Sequence, residues 1–125
     1  MSFRVLITSQ APHVSFSSLR DTARLHFADD PNELMPREQV ISLIRQADAM
    51  INQGDFRVDP ELLEAAPKLR IVTNVAIGTD KLDPEAITKR GVWGCNAPYA
   101  LTDTTAECAI ALMLAVTRKV VTSDQ

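Results

Sequence analysis

No stretch of this 125-residue sequence reaches the roughly 18–20 consecutive apolar residues that a membrane-spanning helix needs. The opening residues, Met-Ser-Phe-Arg-Val-Leu-Ile-Thr, lack the charged leader, apolar core and cleavage site of a secretory signal. They read as a strand that starts almost at once. Cysteine is scarce: Cys95 and Cys108 stand thirteen apart, with neither C-x-x-C spacing nor a histidine cluster beside them. They are expected as two buried free thiols in a reducing cytoplasm, and no metal site is expected. A basic stripe is also missing. The net charge of −3, with thirteen Lys and Arg scattered singly or in pairs, argues against a nucleic-acid or anionic-membrane partner.

What is present suits one packed domain, since 46% of the residues are hydrophobic and 23% charged. Apolar runs alternate with helical patterns from end to end. Strands are expected at Phe3–Thr8, Ala23–Ala28, Ala49–Asn52, Leu69–Val75 and Val92–Asn96. Helices are expected at Ser15–Thr22, with one of several serines as N-cap, and at Pro36–Ala47, where Val40, Ile41 and Ile44 keep helical spacing. Two more open with Asp-Pro-Glu, at Asp59 and Asp83. The aspartate caps, the proline suits the first turn and the glutamate suits the helix dipole. The first runs to Ala66 and the second stops at Gly91. The longest runs from Thr102 to Lys119, with Thr102 or Asp103 able to cap it.

Strands separated by helices imply βαβ units and a parallel sheet. The expected fold class is α/β, a flavodoxin-like doubly wound five-stranded sheet in the order 2-1-3-4-5, extended by a long C-terminal helix. Residues 1–101 form the domain, and residues 102–125 form a helix that leads away from it. Ligands of such sheets gather outside the carboxyl ends of the strands. That rule singles out the loops beginning at Ser9-Gln10, Gln53-Gly54, Ala76-Ile77-Gly78 and Asn96-Ala97-Pro98.

Val75-Ala76-Ile77-Gly78-Thr79-Asp80-Lys81-Leu82-Asp83 is the most informative stretch. A glycine between a strand end and a capped helix lets the backbone turn successive N–H groups toward one point and lets a ligand approach closely. Such a nest suits a carboxylate or phosphate. An ordinary strand-to-helix turn would also place a glycine there. Asn96, at a strand end, offers a donor and an acceptor to a small oxygenated ligand, although asparagine also favours turns. The run Ala106–Val116, AECAIALMLAV, has Glu107 as its one charged residue. A helix apolar all round needs cover on all sides, and one sheet covers one side. The rest of it calls for another chain or more of the same chain.

Three motifs in order, Ala-Ile-Gly-Thr-Asp-Lys-Leu-Asp, Gly-Val-x-Gly-x-Asn-Ala-Pro and Thr-x-x-Thr-Ala-Glu opening an apolar helix, make the chain resemble the D-isomer-specific 2-hydroxyacid dehydrogenases. The likeness covers nearly the whole chain and is strongest from Ala49 to Arg118. It implies a substrate-binding domain followed by a Rossmann domain that binds NAD or NADP. The activity implied for the full-length parent is hydride transfer between that cofactor and a small 2-oxo or 2-hydroxy acid. It also implies that the amides of Ile77 and Gly78, beside Ala76, hold the substrate carboxylate. Asn96 and the Gln53-Gly54 loop would line the cleft, and Thr105 would lie near the nicotinamide and phosphate end of the cofactor. A cytoplasmic homodimer is implied for the full-length form, with helix-mediated association expected of this chain alone.

Departures from the family pattern limit what this chain is expected to do. Its four glycines, at 54, 78, 91 and 94, make no G-x-G-x-x-G. The family's catalytic Arg and Glu/Asp–His pair lie downstream of the long helix; His13 and His26 come too early to match and are expected at the surface or in loops. Ala97-Pro98 stands where Thr-Pro is common, and Lys81 where Asn or His is. No catalytic residue is expected here, and the chain alone should be inactive. The alternatives are a stand-alone small-acid-binding or regulatory module and a corepressor-type NAD sensor. A flavin-binding flavodoxin is disfavoured, because Ser9-Gln10-Ala11-Pro12 replaces a Ser/Thr-rich phosphate loop.

Overall fold

The alternation of apolar runs and capped helices resolves, in a computed structural model of the chain, into a single parallel sheet with its helices. The structure describes residues 2–9, 16–28, 33–53 and 56–120. The strands are β1 (Phe3–Ile7), β2 (Ala23–His26), β3 (Ala49–Asn52), β4 (Ile71–Asn74) and β5 (Trp93–Cys95). The helices are α1 (Ser17–Arg20), α2 (Arg37–Ile44), α3 (Pro60–Ala65), α4 (Pro84–Arg90) and α5 (Thr102–Thr117). All strand pairs are parallel and their order is β2-β1-β3-β4-β5, the flavodoxin-like order expected. β3 has the bounds expected; the other strands are shorter by one to three residues, mostly at their carboxyl ends, where the chain leaves the ladder for the loops.

The Asp-Pro-Glu starts behave as their chemistry requires. Asp59 accepts from the Leu62 N–H and Asp83 from the Ala86 N–H, each at 3.0 Å, with the prolines in the first turn. α4 ends on Gly91 in the left-handed conformation, φ 66°, which glycine adopts without steric cost. Two cap expectations are corrected. Phe16, not a serine, holds the N-cap position of the four-residue α1, with no side-chain cap bond. α5 is capped by neither Thr102 nor Asp103: Leu101 is its N-cap residue, and the Thr102 hydroxyl donates back to the Pro98 carbonyl.

The main core cluster lies on one face of the sheet, while Val5 and Ile7 are buried on the other. Leu6, Met50 and Val72 meet Val40 and Ile44 of α2, Leu62 and Leu63 of α3 and Ile87 of α4. Burying a side chain of this size contributes about 1.5–3 kcal/mol, so this layer fixes the sheet and the direction in which its carboxyl ends point. On the opposite face, Trp93 and Val75 remain 75% and 50% exposed. α5 departs from everything expected of a buried helix. Its Ile110, Leu112, Met113, Leu114 and Val116 are between 53% and 76% exposed, and only Ala115 is even half-buried. The two thiols are likewise not buried: Cys95 is partly accessible at the end of β5, and Cys108 is exposed because it rides on α5. No described helix is long and apolar enough to cross a membrane.

An ionic clamp joins the starts of α2 and α3. Arg37 Nη2 contacts Asp59 Oδ2 and Glu61 Oε2, each at 2.7 Å, and Nη1 reaches the Arg57 carbonyl. Partial burial pushes the Asp59 carboxyl up, but the hydrogen bonds from the Leu62 N–H and from Arg37 outweigh it and hold the group below its ordinary range. A lowered folded-state pKa contributes stability that is fully present above the unfolded value, about 3.9, and is lost as pH falls through the folded one. Asp59→Asn keeps a capping oxygen and removes the charge. We expect the urea midpoint of the parent to exceed that of this variant at pH 6, and the gap to close below about pH 4. A gap independent of pH would show that the clamp's charge adds no stability.

Candidate functional site

The chain after β4 is held by a set of hydrogen bonds that all run in one sense. The Ala97 N–H donates to the Ala76 carbonyl (3.0 Å), and Asn96 Nδ2 donates to the Ile77 carbonyl (2.7 Å). Asn74 Nδ2 donates to the Gly78 carbonyl (3.1 Å), and the Leu82 N–H to the Thr79 carbonyl (2.9 Å). Every carbonyl from Ala76 to Thr79 is therefore engaged. The N–H groups of the same four residues donate to no acceptor among the described residues. Farther along, the Val58 N–H donates to the Lys81 carbonyl at 2.7 Å and the Asp83 N–H to the Val58 carbonyl at 3.1 Å, so the far end of the loop is pinned as well.

A peptide unit is planar and trans, so fixing a carbonyl fixes the N–H of the next residue on the opposite side. The carbonyls of Ala76 and Ile77 both turn toward the end of β5, at Ala97 and Asn96. The N–H groups of Ile77 and Gly78 therefore both turn away from it. This is how the chain presents two successive donors, and it corrects the expectation about Gly78. That residue does not use the left-handed conformation; among the described residues Gly91 is the one glycine with positive φ. What Gly78 contributes is the lack of a side chain where the Asp80 carboxylate lies. A Cβ built on it would lie 2.8 Å from Asp80 Oδ1.

Ile77 and Gly78 are exposed at the carboxyl ends of the strands, and Ala76 is half-buried. Unpaired main-chain donors in a fixed array suit a carboxylate, whose oxygens each accept more than one hydrogen bond. Asn96 stands beside them, but its amide nitrogen is committed to the Ile77 carbonyl, which makes it a support of the loop. Gln53 is similarly committed. Its Nε2 donates to the Ser9 carbonyl at 2.8 Å and its N–H to Thr8 Oγ1 at 3.2 Å, tying the ends of β1 and β3 together. Gly54 and His13 lie outside the described residues. His26 is exposed at the end of the edge strand β2, as expected. Thr105 is exposed in the first turn of α5, where its N–H donates to the Leu101 carbonyl, and no described hydrogen bond links its side chain to the loop.

Two residues of this neighbourhood were not anticipated. Asn52 and Asn74 are fully buried and face each other as register partners across β3 and β4. Asn52 Nδ2 donates to the Phe56 carbonyl (2.7 Å) and to Asn74 Oδ1 (3.2 Å), while Asn52 Oδ1 accepts from the Phe56 N–H (3.3 Å). A signal was available in the strand period. Asn52 follows Met50 by two residues and Asn74 follows Val72 by two, so both asparagines fall on the core face. A polar residue placed there must find partners inside the protein.

The family profile described as the D-isomer specific 2-hydroxyacid dehydrogenase catalytic domain matches residues 5–123. The chain belongs to this family. It is 42% identical over 125 residues to a glyoxylate reductase of Pyrococcus horikoshii, an alignment that covers 100% of this chain and 37% of the relative. It is 35% identical over 120 residues to a D-3-phosphoglycerate dehydrogenase of Mycobacterium leprae, covering 96% of this chain and 22% of that one. Among solved structures, the TT0316 protein from Thermus thermophilus superposes with a TM-score of 0.86 at 29% identity, over 97% of this chain and 39% of that chain. An NAD+-bound 3-phosphoglycerate dehydrogenase of Entamoeba histolytica shares the fold at a TM-score of 0.73 and 22% identity, over 92% of this chain and 39% of its own. The chain thus spans little more than a third of the glyoxylate reductases it matches.

The space left by Gly78 generates a prediction. In Gly78→Ala the obstacle is the end of one exposed side chain, Asp80, which can move aside, so stability should change by less than about 1 kcal/mol in urea denaturation. The methyl group and the displaced carboxylate would then crowd the free amides. The amide shifts that millimolar oxamate induces at Ile77 and Gly78 in the parent should at least halve. Unchanged shifts would mean that nothing binds over this glycine.

Proposed function

We propose that this chain is the acid-binding part of an NAD(P)-dependent D-2-hydroxyacid dehydrogenase. Residues 1–101 form the substrate domain, and residues 102–125 lead toward a nucleotide-binding domain of a longer protein. The full-length enzyme transfers hydride between nicotinamide and a small 2-oxo or 2-hydroxy acid, with NAD or NADP held mainly by that other domain. The observation that carries this reading is the strip from Ala76 to Thr79, with its carbonyls bound inward and its N–H groups free. Membership of a family whose relatives include glyoxylate reductases supports a small 2-oxo acid as the ligand.

In this reading Ile77 and Gly78 grip the carboxylate through their amides, Ala76 and Asn96 shape the wall beside them, and Gln53 and Gly54 also line the cleft. Thr105 faces the cofactor from α5. The cofactor, when bound, supplies the hydride chemistry. The residues of this chain orient the acid; the described part of the chain holds no cluster of His, Cys, Asp or Glu suited to a metal. A proton donor and a cationic clamp for the acid are assigned to the other domain, following the family pattern.

Two measurements test the proposal. Oxamate carries a carboxylate beside a carbonyl and forms no imine with lysine. Added at millimolar concentration to the 15N-labelled chain, it should shift the amides of Ile77 and Gly78 and leave those of α2 and α3 in place. The chain should not oxidise NADH with glyoxylate. An unresponsive loop removes the acid-binding reading, and turnover of NADH removes the assignment of catalysis to the other domain. The partner proposed for α5 in this chain alone is a second copy, packed through the apolar surface of Ile110–Val116. Sedimentation should show a dimer growing with concentration, and Leu112→Glu with Val116→Glu, one turn apart, should abolish it. A strictly monomeric parent would exclude the pairing.

A further inference from the structure

The hydrogen bond that reaches the Gly78 carbonyl comes from the protein interior, from Asn74 Nδ2. The Asn74 side chain is fully buried. Its Oδ1 is held by Asn52 Nδ2 at 3.2 Å, and that amide is in turn locked by both the N–H and the carbonyl of Phe56. The orientation of the Asn74 amide is therefore set: its oxygen faces Asn52 and its nitrogen faces Gly78. With the Gly78 carbonyl drawn toward the core, the planar peptide unit turns the Thr79 N–H away from it, toward solvent. Thr79 is exposed, and its N–H has no acceptor among the described residues.

We propose that Asn74, locked by Asn52, is the positioning residue for the Gly78–Thr79 peptide unit, and that the Thr79 N–H is a third main-chain donor for the carboxylate held at Ile77 and Gly78. The proposal rests on the acid-binding reading given above and adds to it a donor and the device that aims it. The physical case is one of preorganisation. A loop whose carbonyls are already bound need not reorganise when the anion arrives, so more of the interaction appears as affinity. Three donors also match a carboxylate better than two, because two oxygens offer about four acceptor sites. Asn96 does for the Gly78 N–H, from β5, what Asn74 does for the Thr79 N–H from β4.

The test is an oxamate titration of the 15N-labelled 125-residue chain, read residue by residue, on the parent and on Asn74→Asp. The substitution keeps the shape of the side chain and the oxygen that accepts from Asn52, and deletes the donor to the Gly78 carbonyl. In the parent, the amides of Ile77, Gly78 and Thr79 should shift together along one binding curve. In the variant, affinity should fall at least fivefold, with the Thr79 response lost first. Shifts at Ile77 and Gly78 with a silent Thr79 would overturn this inference and leave the acid-binding reading standing. So would a folded variant that binds as the parent does. Silence of all three in the parent would overturn the acid-binding reading itself. If the variant does not fold, the comparison of Thr79 with Ile77 and Gly78 in the parent still decides the matter.

Discussion

The arrangement of this protein's carboxyl edge depends on two asparagines that face each other across neighbouring strands. Asn52 and Asn74 are buried where the rest of the core face is aliphatic, and each polar group they bring inside is satisfied. A buried amide left without partners would cost on the order of 1–3 kcal/mol. Their network therefore locks the phase of β3 against β4: slipping one strand by a residue would break the pair and turn that strand's own core residue, Met50 or Val72, away from the core. The same network reaches Phe56 on one side and the Gly78 carbonyl on the other, so one interaction ties both to the strand pair.

Much of the scaffold was legible in the sequence because it follows from short-range rules. The two Asp-Pro-Glu starts and Gly91 define α3 and α4 through capping chemistry that needs no tertiary partner, and β3 stands where its apolar run placed it. Strand order followed from the alternation of strand and helix. The candidate loop was also located, through a glycine between a strand end and a capped helix. The reason it works as a donor strip was not legible. It lies in carbonyls bound by Asn96, Ala97 and Asn74, which are contacts between segments up to about twenty residues apart and not a conformational privilege of Gly78.

α5 shows the opposite limit. Its composition led to the expectation of a covered helix, whereas Cys108 and the leucines of this helix are exposed here. Hydrophobic patterning reports what a segment requires, while burial depends on what surrounds it. This chain spans little more than a third of the glyoxylate reductases it matches. Cys95 was misjudged for a different reason. It ends an edge strand of only three residues, paired with β4 on one side alone.

Recognition through main-chain groups has a consequence for how such a site can change. Every residue except proline carries the same N–H, so the donors at positions 76–79 survive almost any substitution of the side chains there. A change of the Ile77 side chain, which is 41% exposed, therefore leaves the array of N–H groups in place. Constancy is demanded instead of residues that need never touch a ligand, the asparagines behind the loop. The side chains of the loop and the amides that hold its carbonyls thus answer to different constraints: the former are exposed, while Asn52 and Asn74 are fully buried and fully hydrogen-bonded.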